Sequence, residues 1–262
     1  MNKKLFKIFA SLTIFFITFY SSIPSGVTAK GNGPTDDDLV IIGDMNLSSN
    51  PVSTRHSDDS ISDNLRGVDA GSIILTESVS QTLIVGNSAA CNMGGIHTDN
   101  HYLRIFDLPT FGIDKDFKIS NVSFGIEQSI PAGTTQPLQV RLYTLNGIFQ
   151  FANMTLIGTT ITDVTSQEMT ILNVPVSGTA PAGSKLVVDI FTPDGEAAGN
   201  SFFIGSNNLG ETGPSYIAAA ECGIPEPTLV ANVGYPNMMI VMNVTGTVLQ
   251  TTWINYLPLI QR

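Results

Sequence analysis

The sequence predicts an all-β fold, a single antiparallel β-sandwich of jelly-roll type with about ten strands. Two observations carry that prediction. From Ser72 onward, short β-branched and aromatic runs recur at roughly 10- to 20-residue intervals, each bounded by Gly, Pro, Asn or Asp, which is how hairpin-linked strands are punctuated. Beyond residue 29, apolar spacing of the i, i+3, i+4 kind never lasts three turns, and 24 Gly and 14 Pro among 262 residues, with only 13% charged side chains, exclude helical bundles and coiled coils. At 42% apolar residues the chain has enough hydrophobic matter for a core.

The elements follow in order. Residues 1–29 have the parts of a secretory signal: a basic start (Lys3, Lys4, Lys7), an apolar run from Ile8 to Tyr20, and the small-x-small string Val27-Thr28-Ala29 before a cleavage point after Ala29. A run of about 13 residues is too short to span a bilayer. No membrane span is therefore expected after cleavage, and the product is expected to be secreted or held at the cell surface. Residues 30–71, rich in Asp, Ser, Asn and Gly, read as a flexible polar leader whose one apolar run, Leu39-Val40-Ile41-Ile42, is a candidate edge strand.

Residues 72–248 form the sandwich domain. Its strand candidates are Ile73–Thr76, Gln81–Val85, Tyr102–Asp107, Phe117–Glu127, Leu138–Leu145, Met154–Ile157, Met169–Val174, Leu186–Phe191, Phe202–Gly205 and Met238–Val244. Val122, Phe124 and Ile126 alternate with Ser123, Gly125 and Glu127, so that strand has one buried face. Leu186–Phe191 is apolar at nearly every position, as a strand covered on both sides should be. Thr192-Pro193-Asp194-Gly195 and Pro131-Ala132-Gly133 read as corners, with proline fixing φ and glycine accepting a positive one. Residues 249–262 are a tail ending in Tyr256-Leu257-Pro258-Leu259, either a sorting element or a last strand.

Several strings belong together: Tyr102-Leu103-Arg104-Ile105-Phe106-Asp107-Leu108, Phe124-Gly125-Ile126-Glu127, Val140-Arg141-Leu142-Tyr143-Thr144, Phe203-Ile204-Gly205-Ser206-Asn207, Pro214-Ser215-Tyr216-Ile217 with Cys222-Gly223, and Met239-Ile240-Val241-Met242-Asn243-Val244. The set resembles an uncharacterised extracellular β-sandwich module that recurs in bacterial secreted proteins, over about Gly86 to Gly246. The resemblance implies a fold and a compartment. It brings no assigned activity or catalytic residues.

Cys91 and Cys222 are the two cysteines of a chain bound for an oxidising compartment, and they read as one disulfide. His97, Asp99 and His101 have the alternation that would let a strand gather them on one metal ion. That same face continues into Leu103 and Ile105, which are expected in the core, so residues 92–100 read as a loop with solvated histidines and no transition metal is expected. A structural calcium ion is compatible with Asp36–Asp38, Asp58/Asp59, Asp114/Asp116 or Asp194/Glu196, although no set has recognisable ligand spacing. No other cofactor is expected. Strings for a serine elbow, a zinc helix or a phosphate loop are missing.

The expected signal holds three Lys and no acid, so its removal takes the formal charge from −10 to −13, which repels nucleic acid. The function these features imply is a non-catalytic module outside the cell for adhesion, matrix or surface binding, with an extracellular polysaccharide or surface component as partner. A carbohydrate-binding module is the alternative, with Tyr102, Tyr143, Tyr216 and Tyr235 as its ligand-binding platforms. A secreted hydrolase of unfamiliar type comes third.

Overall fold

The computed structural model describes residues 71–249 and the backbone of one further strand, β1 (Val27–Lys30). The rest of the expected signal, the leader with its Leu39–Ile42 run and the tail lie outside the described residues. β1 pairs antiparallel with Ser88–Cys91, so the cleavage point expected after Ala29 falls inside it. The strands after it are β2 (Ile73–Thr76), β3 (Ser88–Met93), β4 (Ile96–His97), β5 (Asn100–Asp107), β6 (Phe117–Ile130), β7 (Thr135–Leu145), β8 (Met154–Thr165), β9 (Gln167–Ala180) and β10 (Lys185–Thr192). There follow β11 (Ser201–Ile204), β12 (Ser206–Asn207), β13 (Ser215–Ala219), β14 (Ile224–Leu229), β15 (Met239–Ile240) and β16 (Met242–Val248).

The fold is all-β and every pairing is antiparallel, as the sequence predicts. One large sheet runs β14-β13-β5-β10-β7-β8. The other is built on β6, which takes β9 along one edge and β16 and then β11 along the other, with β2 outside β16. Two small sheets, β1-β3-β4 and β12-β15, complete the set among the described residues. The main core lies between the two large sheets. Tyr102 and Phe106 from β5, Val140 and Leu142 from β7, and Val188 and Ile190 from β10 meet Val122, Phe124 and Ile126 from β6 there.

The burial of Val122, Phe124 and Ile126 in β6 is borne out, although Gly125 and Glu127 on the face expected to be wet are buried too, and the double covering of β10 is borne out. Leu186, Val188 and Ile190 enter the main core, while Val187 enters a second apolar cluster with Leu103 and Ala218 on the opposite face of the sheet. Two-sided burial makes such a strand apolar throughout.

Other expectations are corrected. Residues 81–85 are not a strand. Their backbone is satisfied singly, by Ile84 N donating to Ser206 O (2.9 Å) and by the Asn207 amide donating to the carbonyls of Ser80 and Thr82. The loop expected over 92–100 is largely strand: Ser88–Met93 runs into it, Ile96–His97 lies within it and Asn100 opens β5. β13 and β14 were not expected, because Ser215-Tyr216-Ile217-Ala218-Ala219 is short of β-branched residues and Pro225 and Pro227 argue against a strand. β14 accepts both prolines because it is an edge, where one side needs no ladder. The corner glycines Gly133 and Gly195 do not have positive φ. Gly195 is required for space instead: a Cβ there would meet His97 Cε1 at 2.7 Å. Gly125 and Gly205 likewise let three backbones touch, with Gly205 N donating to Gly125 O (2.7 Å) and Val241 N to Gly205 O (3.1 Å).

The expected disulfide is present. Cys91 on β3 is bonded to Cys222 in the single 3-10 turn after β13, with Cα atoms 5.9 Å apart. No helix among the described residues is long and apolar enough to cross a membrane.

Candidate functional site

The outer face of the six-stranded sheet is where its polar chemistry collects. Antiparallel register places side chains of facing residues on one side of the sheet. One row across it is Tyr216, Leu103, Asp189, Arg141 and Thr159. The next is Ala218, His101, Phe191, Gln139 and Ile161. On the other side of the Asp189 row lie Val187, Tyr143 and Leu156.

The connection between β7 and β8 folds over half of this face. Asn146 N donates to Asn153 O (3.0 Å) and the Asn153 amide donates to Ile148 O (2.9 Å), which closes the loop on itself. Phe151 N donates to Glu226 on β14, pinning the loop across the sheet. Phe149 then meets Tyr216 edge-on at 4.7 Å and Phe151 lies tilted on His101 at 4.9 Å. Beneath the loop the second apolar cluster gathers Leu103, Val187 and Ala218, with Tyr143, Leu145 and Met154 of β7 and β8 packed against them. The rest of β7 and β8, half-buried at Gln139 and Arg141 and exposed at Leu156, Thr159 and Ile161, is the open half.

Asp189 is the centre. It is fully buried although it faces outward, because His101 and Arg141 close over it. Its Oδ2 accepts from His101 Nδ1 at 2.9 Å and lies 3.7 Å from an Arg141 nitrogen, while Oδ1 is buried without a hydrogen-bond partner. A carboxylate accepts only, so His101 donates from Nδ1 and turns Nε2 away from Asp189. The imidazole lies tilted against Phe191, ring centroids 4.5 Å apart. Arg141 lies over the same Phe191 ring, 3.9 Å from its centroid, and donates from Nε and one terminal nitrogen to Gln139 Oε1 at 3.0 and 2.8 Å. Burial raises the Tyr143 hydroxyl above its usual pKa, the Asp189 charge adds to the rise, and Arg141 opposes it.

The structure brings two of the four candidate tyrosines to this face. Tyr143 stands beside Arg141, and Tyr216 packs under Phe149. Tyr102 belongs to the main core, fully buried, with its hydroxyl donating to Ala89 O (3.2 Å). It is no platform, because even-numbered residues of β5 point between the sheets. Leu103 and Ile105, expected in the main core, are correspondingly on the outer face. Tyr235 packs against the main core instead of joining the other two.

His97, Asp99 and His101 do not converge, and the reason differs from the expected one. The chain breaks between β4 and β5, so the three share no continuous strand. His97 lies 3.0 Å from Pro193 O, Asp99 accepts from Asp194 N, and His101 is engaged with Asp189. Nor is His97 solvated, being only 2% exposed. Among the described residues no group of three or more His, Cys, Asp or Glu side chains could hold a metal ion. Of the calcium candidates, Asp116 and Asp194 cap the backbone N–H groups of Ala182 and Glu196. Asp36–Asp38 and Asp58/Asp59 lie outside the described residues.

Burial holds His97 below the usual histidine pKa, against the opposing pull of its bonds at Pro193 and Asn200 and of the Asp194 and Asp99 charges. The unfolded chain thus takes up a proton near pH 6.5 that the folded chain refuses. Stability from this source is full above about pH 6.5 and is lost as pH falls toward the lowered folded value, at no more than about 1.4 kcal/mol per pH unit. Denaturant titrations from pH 7.5 to 5 are expected to show a shallower decline for His97→Gln than for the parent. Parallel declines would remove His97 as the source.

Sequence reasoning missed Asp189 as a centre. Its signal was present, a lone acid in a strand otherwise apolar on both faces. Its partners were not visible, since His101 lies 88 residues away.

Fold and site together define an all-β, disulfide-linked sandwich with an aromatic-framed polar face. No protein-family model and no curated protein matches the chain. Among solved structures, the chain is similar to the cysteine protease and lectin-like domains of Cwp84, a surface layer associated protein of Clostridium difficile. That match has 14% identity and a TM-score of 0.41, covering 63% of this chain and 38% of that one. A second structure, the clostridial cysteine protease Cwp84 after propeptide cleavage, has 15% identity and a TM-score of 0.40, covering 63% and 43%. The chain thus spans less than half the length of either. At this distance the similarity assigns no function.

Proposed function

We propose that this chain is a non-catalytic β-sandwich module that acts outside the cell and binds a matrix or surface component through the outer face of its six-stranded sheet. One observation carries the reading: Gln139, Arg141, Asp189 and His101 form a connected polar strip inside an aromatic frame. An outward sheet face that merely meets water has no need to bury a carboxylate, since desolvating one is costly. Convergent polar groups set among aromatic side chains are the composition of binding sites. The disulfide fits an oxidising compartment. The signal-like first 29 residues and the resemblance to an extracellular bacterial module point the same way.

A second reading has one observation in its favour. A histidine donating from Nδ1 to a buried aspartate, with Nε2 turned away, is the arrangement of a general base in hydrolases. The rings on His101 are Phe151 and Phe191, however, and its neighbours in register carry no hydroxyl or thiol. The test is retention of the full chain on insoluble polysaccharides and isolated bacterial envelopes, run beside glycosidase, esterase and peptidase substrate panels. Retention without turnover is expected. Turnover abolished by His101→Gln in a folded protein would replace this reading with the hydrolase.

A further inference from the structure

We infer that the open half of this face takes a neutral, hydroxyl-rich glycan chain laid across β7 and β8, with Arg141 at its centre; the inference rests on the reading just given and supplies its ligand class. Charge selects the ligand first. In residues 71–249 the cations are Arg104, Lys115, Lys118, Arg141 and Lys185, against fourteen acids. Polyanions are repelled by the molecule as a whole. Arg141 does not offset this locally, because Asp189 stands 3.7 Å from its guanidinium and compensates its charge. What the pair offers is hydrogen bonding without net charge.

Shape and preorganisation come next. Leu156 and Ile161 on β8 are 51% and 67% exposed and flank Thr159, which faces Arg141. Apolar side chains alternating with fixed polar ones suit a sugar ring, which has a C–H face and a hydroxyl rim. Arg141 is held by Gln139 and the Phe191 ring before any ligand arrives, so little rotamer entropy remains to be lost on binding. Asp189 marks the same place from beneath: it is a fully buried carboxylate under Arg141 and His101, and its Oδ1 has no hydrogen-bond partner among the described residues.

Size decides between a glycan and a protein. Two strands wide and three rows long, the strip measures about 10 by 20 Å. That is roughly 200 Å², a quarter of the ~800 Å² per partner that a stable protein interface buries.

The experiment is affinity electrophoresis and calorimetric titration of the full chain against neutral oligosaccharides (gluco-, xylo-, manno- and chito-hexaoses) and against polygalacturonate and hyaluronate. Binding to at least one neutral series is expected, with weaker or no binding to the polyanions. Arg141→Ala and Ile161→Glu should each raise Kd about tenfold or more. Ile161→Glu alters an exposed position that the fold does not need, which guards against misfolding of the first variant. Ile171→Glu, on the other large sheet, should leave Kd unchanged. Preference for the polyanions, or neutral binding that survives both site variants, overturns the inference. Retention on envelopes without binding to any neutral series sinks the glycan while sparing the proposed function. Loss of both retention and binding sinks both.

Discussion

Replacing Cys91 and Cys222 together by serine is expected to cost on the order of 4–5 kcal/mol, read as a fall in Tm of roughly 10–20 °C. The bridge spans 131 residues, so its removal returns a large loop-closure entropy to the unfolded chain. The native state should change little, because the local backbone is held without the sulfurs. Asn100 Oδ1 accepts from Cys91 N at 2.7 Å, its amide donates to Cys91 O at 3.0 Å, and Thr98 N donates to the same carbonyl. Denaturant unfolding of the double variant beside the oxidised parent checks this. A loss below about 1 kcal/mol would mean that the unfolded chain is already compact around this pair.

Which parts of this molecule were legible in its sequence follows from which constraints are local. β2, β5, β6, β7 and β10 were readable because β-branched and aromatic residues fill them. β3 was not, since Ser88-Ala89-Ala90-Cys91-Asn92 is held by its surroundings more than by propensity, and small residues let it pack closely. The disulfide was readable from parity and the expected compartment alone. The placement of the candidate tyrosines was half readable. β5 is apolar on both faces, with Tyr102 and Phe106 on one and Leu103 and Ile105 on the other, and no local rule says which face meets the second sheet. Pairing settles it, and pairing is non-local: β5 lies between β10 and β13, strands that begin 78 and 108 residues after its end. The polar strip was hidden for the same reason. Asp189, Arg141 and His101 come from three strands that only the register aligns.

Removing Glu211 is expected to be as damaging as removing a large core side chain, because it takes from a buried cation its hydrogen-bonded counter-charge and leaves Glu77 to act through space. Arg104 points inward from β5, with Tyr102 and Phe106 before and after it on the same face, and is fully buried. Every nitrogen of its guanidinium is engaged: Nε and one terminal nitrogen donate to Ile240 O, that terminal nitrogen also donates to Glu211 Oε2 (2.8 Å), and the other donates to Gly213 O (2.8 Å). Glu211 in turn accepts from Ser215 N and Oγ, and Ser215 Oγ accepts from Ile240 N (2.9 Å). One guanidinium thus fastens β5, the turn before β13, and β15. Burial pulls its pKa down and Glu211 pulls it back up, yet an arginine does not shed its proton to escape the cost. Glu211→Ala should therefore cost about 3 kcal/mol, the lower end for a broken buried pair, since the glutamate side chain is 20% exposed. Arg104→Met should cost as much by leaving the Ile240 and Gly213 carbonyls short of donors. The double variant Arg104→Met/Glu211→Ala should fall well short of the sum, because the second change removes a partner that the first has already orphaned. A double-mutant cycle by denaturant unfolding measures this directly. Additive losses would mean that the carbonyl bonds, and not the ion pair, hold these three elements together.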